Sequence, residues 1–225
     1  MSDILVLGPV RVVTGAGQAV APPSDLQRTL VAVLAARRDR VVSVDELIEA
    51  LWGDRLPARP GPALQSQVFR LRRLLADPSC VATDGAGYRL RLSSGRLDAG
   101  RFEELVADAR RHHNDPERAV GVYDDALALW RGRAYEEVAD HDPVRSEAAR
   151  LEDLRVAAAE ERATLLLAAG RPDDAAASME DLIARQPFRE EPVAIRMRAL
   201  AAAGRHAEAV RVFATFRSAL GDELG

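Results

Sequence analysis

The chain has no lysine, and all 31 of its basic residues are arginine. Without lysine no P-loop glycine-lysine motif is possible, and Gly85-Ala86-Gly87 reads as a turn rather than a phosphate cradle. Arginine and alanine at lysine's expense is the composition of a GC-rich genome. Arginine enrichment is therefore no signal by itself, and function has to be read from where the arginines fall. Cysteine is equally scarce: the single Cys80 excludes an intrachain disulfide and a cysteine-built zinc site. It reads as a small apolar strand residue. No apolar run approaches the ~20 residues that span a bilayer, and no basic-then-apolar leader opens the chain, so a cytoplasmic protein with no membrane partner is expected.

Reactive constellations are thin too. His112-His113 is the one histidine cluster of the 4 histidines, and neighbours on a helix point about 100° apart, which does not suit a shared metal. Asp124-Asp125, Asp173-Asp174 and Glu190-Glu191 read as helix N-terminal or solvated charges rather than acid/base pairs. Asp173-Asp174 follows Pro172 at a helix start, which accounts for it without catalysis. The expectation is no enzyme, with no catalytic residues, metal site or cofactor.

What the chain does have is Pro62 to Ala76, PALQSQVFRLRRLLA. At 100° per residue, Leu64, Val68, Leu71 and Leu75 fall on one stripe that must be buried. Ser66, Phe69, Arg70 and Arg73 point the opposite way, flanked by Gln65 and Arg72 on one side and Gln67 on the other. These amide and guanidinium groups suit base edges and phosphates. An arginine face alone is more often ordinary solvated surface than a nucleic-acid contact. Phe69 has two readings, packing on thymine methyl groups or folding sideways into the core.

The flanks give the segment context. Ser43 and Glu46 form a capping box at the start of a helix over Val44 to Trp52, which carries Leu47, Ile48 and Leu51 on one side and ends at Gly53. Three prolines and a glycine in Asp54 to Pro62 make a turn. Downstream, Cys80 to Thr83 and Tyr88 to Leu92 alternate across a glycine-bearing turn, the pattern of a hairpin. Upstream, Ile4 to Leu7, Val10 to Val13 and Gln18 to Ala21 suggest a small N-terminal sheet. Helix, turn, helix and hairpin is the layout of a winged helix-turn-helix domain.

The motifs LIEALWG (Leu47 to Gly53), LQSQVFRLRRLL (Leu64 to Leu75) and GYRL (Gly87 to Leu90) resemble the OmpR-type winged helix of SARP-type antibiotic regulatory activators, which fits an actinobacterial source. The resemblance implies a three-stranded N-terminal sheet, then helices over Asp25 to Arg37, Val44 to Trp52 and Ala63 to Ala76. The third would enter the major groove and the hairpin would form the wing. It implies DNA contacts from Gln65, Ser66, Gln67, Phe69, Arg70, Arg72, Arg73 and Arg89. Three positions depart from the family pattern. Gln67 stands where many relatives have histidine, Phe69 where they have a small residue, and Asp84 where they commonly carry a wing-tip arginine. A carboxylate at that tip would repel phosphate.

The second half repeats itself. Ala168-Ala169-Gly170-Arg171 recurs as Ala202-Ala203-Gly204-Arg205 at an offset of 34, the tetratricopeptide period. Ala175 with Ala209, Met179 with Phe213 and Leu182 with Phe216 keep the register, and Pro187 closes the first copy. A weaker copy holds Ala119, Tyr123 and Ala126 after the turn Asn114-Asp115-Pro116. Three helical hairpins are expected in Asp98 to Leu220, of the kind that bind proteins rather than catalyse. This half resembles the bacterial transcriptional activation domain of the same family. Leu220 to Gly225 resembles the start of a family segment that continues further, so a longer regulator is expected.

Charge divides the same way. Residues 1–96 hold 13 arginines against 9 acidic residues, a net of +4, and residues 97–225 hold 18 against 26, a net of −8. The expected fold is mainly α, with an N-terminal α+β winged helix-turn-helix domain (1–96) and a C-terminal all-α TPR-like repeat domain (97–225). The resemblance implies a homodimeric activator of secondary-metabolite genes that binds direct repeats in double-stranded promoter DNA and contacts RNA polymerase. The modest +4 and Asp84 keep a second reading open: a TPR-type protein-interaction or sensor module of a larger signalling regulator, with no direct DNA readout.

Overall fold

The computed structural model describes residues 3–224. Gly225, the last residue of the C-terminal segment singled out in the sequence, lies outside them. The chain folds as two compact units, one of residues 3–104 with 128–152, the other of residues 105–127 with 153–224. The division differs from one at residue 96, because residues 97–104 and 128–152 pack with the N-terminal module.

In the first unit, Ile4–Leu5 (β1), Arg11–Val13 (β2) and Ala19–Val20 (β3) form an antiparallel sheet in the order β1-β2-β3. Three helices follow: Asp25–Ala36 (α1), Val44–Trp52 (α2) and Pro60–Leu74 (α3). Ser24 caps α1 by accepting from Gln27 N, and Ser43 caps α2 by accepting from Glu46 N at 3.1 Å. The Glu46 carboxylate lies 3.6 Å from Arg37 Nε. Gly53 ends α2 with φ +50, a conformation that glycine alone adopts freely.

Helix α3 begins at Pro60, two residues before the sequence-read segment and three before the helix expected from the family. The reason is that proline at the first helical position lacks only a donor that would be unpaired anyway. Leu64, Val68, Leu71 and Leu75 are buried, so the apolar stripe faces inward as the spacing predicts.

A second sheet forms the wing. Val41–Ser43 (β4), Val81–Asp84 (β5) and Gly87–Leu90 (β6) pair antiparallel in the order β4-β6-β5. Strand β4 is absent from the sequence reading; it is three residues long and exists only through its pairing with β6. Gly87 sits opposite Ser43, and a Cβ there would stand 2.2 Å from the Val42 carbonyl oxygen. Buried Cys80 precedes β5, and burial pushes its thiol up to about 11.

Asp98 ties this unit together. Its carboxylate is 2% exposed and accepts from Val6 N (2.7 Å), Leu7 N (3.1 Å) and Ala99 N (2.9 Å), with Arg131 Nη2 at 3.1 Å. Burial pushes its proton affinity up, against the pull of those donors.

Asp98–Arg111 (α4), Pro116–Leu127 (α5), Asp142–Ala168 (α6), Pro172–Arg185 (α7), Glu190–Ala202 (α8) and His206–Leu224 (α9) make up the remaining helices. Within the second unit the 34-residue repeat is visible in the backbone. Gly170 and Gly204 take φ +73 and +76, and Arg171 N donates to Leu166 O as Arg205 N does to Leu200 O, both at 2.8 Å. These are the six-to-one bonds of a left-handed helix stop. Ala175, Met179 and Leu182 are buried in a core with Ile195, Ala199 and Leu200. Their counterparts differ: Ala209 is buried, but Phe213 is 47% exposed. In the first copy α8 covers that face, whereas no described helix covers the same face of α9.

Candidate nucleic-acid interface

The candidate interface is the outward side of α3 together with the turn before it and the wing beside it. Gln65, Ser66, Phe69, Arg70 and Arg73 are all exposed, so five of the side chains expected at DNA share the solvent face. Phe69 is 60% exposed, which excludes the reading in which it folds into the core. The Arg73 guanidinium lies over its ring, 5.9 Å from the centroid. Arg70 has no hydrogen-bond or ion-pair partner among the described residues. The arrangement is a ridge of two cations, an aromatic ring and two small polar groups, which suits base edges and phosphates.

Two expected contacts are differently employed. Arg72 donates from Nε (2.9 Å) and Nη2 (2.7 Å) to the Val81 carbonyl and reaches Thr83 Oγ1 at 3.0 Å. It also lies 6.0 Å from the Tyr88 ring centroid. The expectation that Arg72 offers its guanidinium to DNA is therefore corrected, because its donors are turned to the wing and fasten β5 to α3. Gln67 is half-buried, and its side-chain carbonyl accepts from Gln27 Nε2 of α1 at 2.6 Å. Gln27 Nε2 also reaches the Gln67 backbone carbonyl at 2.9 Å, which pins the amide at its inner end.

On the wing, Arg89 projects from β6 but is paired, its Nη2 2.7 Å from Asp84 Oδ2. Asp84 is the last residue of β5, one step before the turn, and Arg91 Nη2 lies 3.4 Å from the same oxygen. Its charge is thus compensated within the wing.

Sequence reasoning passed over Arg55 and Arg59, both exposed in the turn leading into α3 and without side-chain partners among the described residues. A usable signal was present: a cation before a helix start opposes the positive N-terminal end of the helix dipole. Arg59 is the residue before the first turn of α3 and forms no side-chain cap. Its place there does nothing for the helix and suits an anion. Among the described residues no group of three or more histidine, cysteine or acidic side chains is placed to hold a metal ion, and no helix is long and apolar enough to cross a membrane.

A three-helix core with a β-hairpin wing and an exposed cationic third helix, followed by paired helices, defines a winged-helix regulator with a helical-repeat module. Residues 21–90 match the family described as transcriptional regulatory protein, C terminal, and residues 97–225 match the bacterial transcriptional activator domain. The chain is 35% identical over 223 residues to the regulatory protein AfsR of Streptomyces coelicolor, spanning 98% of this chain and 22% of AfsR. It is 33% identical to the transcriptional regulator RedD of the same organism, covering 66% of RedD, and 30% identical to the regulatory protein DnrI of Streptomyces peucetius, covering 86% of DnrI. The structure of Mycobacterium tuberculosis EmbR in complex with a low affinity phosphopeptide aligns with a TM-score of 0.90 at 30% identity, over 99% of this chain and 60% of EmbR. The chain belongs to the SARP-type family of bacterial transcriptional regulators.

Proposed function

We propose that this protein is a sequence-specific DNA-binding activator that acts in the cytoplasm on promoters of secondary-metabolite genes. The observation that carries the reading is the solvent face of α3, where Gln65, Ser66, Phe69, Arg70 and Arg73 stand together and Arg70 has no partner among the described residues. In this reading Arg70 and Arg73 supply the charge, Gln65 and Ser66 hydrogen-bond base edges, and Phe69 contacts thymine methyl groups. Arg55 and Arg59 add phosphate contacts ahead of the helix. Two copies on direct repeats bring their recognition helices to one face of the duplex at a spacing of about one helical turn, ~10–11 base pairs. The helical second half supports that pairing and contacts RNA polymerase.

Footprinting on the promoters upstream of the protein's own and neighbouring genes tests the reading. Protected direct repeats are the expected result, and a duplex with no protected sequence refutes it. Arg70→Ala is expected to weaken operator binding by ~1–3 kcal/mol if the side chain reads a base. Equal affinity of mutant and wild type at fixed salt removes that role from Arg70.

A further inference from the structure

The wing carries two arginines that its own sequence occupies. Residues two apart on a strand share a face. Arg91 lies one residue past the end of β6, but its backbone N–H still donates to Cys80 O at 2.7 Å across the hairpin, so Arg89 and Arg91 stand side by side, while Tyr88 and Leu90 before and between them are buried. Asp84 reaches both from the neighbouring strand through one oxygen, Oδ2, at 2.7 Å from Arg89 Nη2 and 3.4 Å from Arg91 Nη2. An oxygen anion shared by two guanidinium groups is the arrangement a phosphate oxygen would take up there. The cluster is also open to a duplex, since the Arg91 side chain is 59% exposed and that of Asp84 32%.

We propose that Asp84 is a positioning residue that keeps Arg89 and Arg91 off the phosphate backbone, so that the wing adds little to DNA affinity and α3 supplies most of it. A phosphate approaching the wing meets two guanidinium groups already turned to a carboxylate, which it must displace to make either contact. Exposed ion pairs of this kind contribute only ~0.2–1 kcal/mol to folding, so the pair is a weak fastener but an effective screen. Because phosphate contacts carry no sequence information, the screen lowers binding to the operator and to unrelated DNA by the same factor. The proposal rests on the DNA-binding reading above.

The test is a salt titration of binding by the full chain to an operator duplex and to an unrelated duplex of equal length. Asp84→Asn keeps the shape and removes the charge. It should tighten binding to both duplexes alike and steepen the salt slope by up to about 1.8, at ~0.9 per phosphate contact. That slope makes the gain about tenfold larger at 50 mM than at 200 mM salt. Adding R89Q and R91Q to the Asp84→Asn protein should abolish the gain. In the protein that keeps Asp84, the same arginine pair of substitutions should leave the slope unchanged. This second arm stands independently of how well the Asp84→Asn protein folds. An unchanged slope in Asp84→Asn, or a drop of about 1.8 on replacing the two arginines beside an intact Asp84, overturns the proposal. A wild-type chain that binds neither duplex at 50 mM salt overturns the DNA-binding reading itself, which is a separate result.

Discussion

Arg72 is the residue at which an outward-facing arginine on a recognition helix and the observed structure make opposite predictions. Its guanidinium makes two hydrogen bonds to the Val81 carbonyl and one to Thr83, and lies against Tyr88. A charged donor to a buried acceptor contributes ~1.5–3 kcal/mol, and partial exposure of this site discounts that by about half. The ring contact adds ~0.5–1 kcal/mol, so Arg72→Ala should cost about 1.3–2.5 kcal/mol of stability. For a protein of this length that lowers Tm by roughly 3–10 °C. Arg72→Lys keeps the charge but loses the fork of donors, and should recover less than half of the loss. Thermal unfolding followed by circular dichroism measures both. A salt titration of DNA binding supplies the second readout, because its slope counts phosphates neutralised. Arg72→Ala should leave that slope unchanged even where affinity falls through a displaced wing. Unaltered Tm together with a slope shallower by about 0.9 would place Arg72 on a phosphate and refute the reasoning.

Three further substitutions or treatments test the scaffold. Gly87→Ala drives a methyl group into the Val42 carbonyl and should destabilise the wing by about 1–3 kcal/mol, read as a lower denaturant midpoint; an unaltered midpoint would show that β4 gives way freely. Asp98→Asn turns one buried acceptor into a donor facing Leu7 N or Arg131, at a cost of ~3–5 kcal/mol, and a loss under 1 kcal/mol would deny Asp98 its tie between the segment after β1 and the start of α4. Cys80 is buried with its thiol raised to about 11, so at pH 8 it should react with a thiol reagent at least tenfold more slowly in the folded chain than in denaturant, since the thiolate is the reacting form. Equal rates in both states would place the thiol at the surface.

Features set by near neighbours in the sequence were legible, and those set by distant partners were not. Helix α2 was bounded by its own caps, Ser43 and Gly53, so both its ends could be read to the residue. The inward stripe of α3 follows from helical geometry alone. Strand β4 could not be read, because Val41-Val42-Ser43 is too short to show a period and its order comes from β6, some forty-five residues later. Arg72 lies on the flank of α3, where spacing leaves both a solvent and an inward course open; the carbonyl that claims it belongs to β5. Phe69 was equally open in the sequence, and its 60% exposure fixes it at the surface. The repeat was legible in its glycines, yet identical spacing could not show that Met179 is covered and Phe213 is not, since coverage depends on the next helix.

In a chain whose every cation is arginine, the informative distinction is between guanidinium groups that have a carboxylate and those that do not. Most arginines of the second half are paired close by: Arg110 with Glu161, Arg162 with Asp124, Arg171 with Asp174, Arg189 with Glu160 and Arg205 with Glu208. Such pairs add little stability, but they cancel the field each arginine would project, and the net −8 of that half does the rest. On the winged module the pattern reverses around α3, where Arg55, Arg59 and Arg70 stand exposed without a carboxylate among the described residues. Holding like charges unpaired near one another opposes folding, so the fold gains nothing from their placement there. The arrangement becomes favourable only against a dense array of anions, and a duplex offers one about every 1.7 Å along its axis. Asp84 is consistent with this logic on the β5–β6 hairpin, where two further arginines would otherwise stand unpaired beside α3 and the chain supplies its own anion.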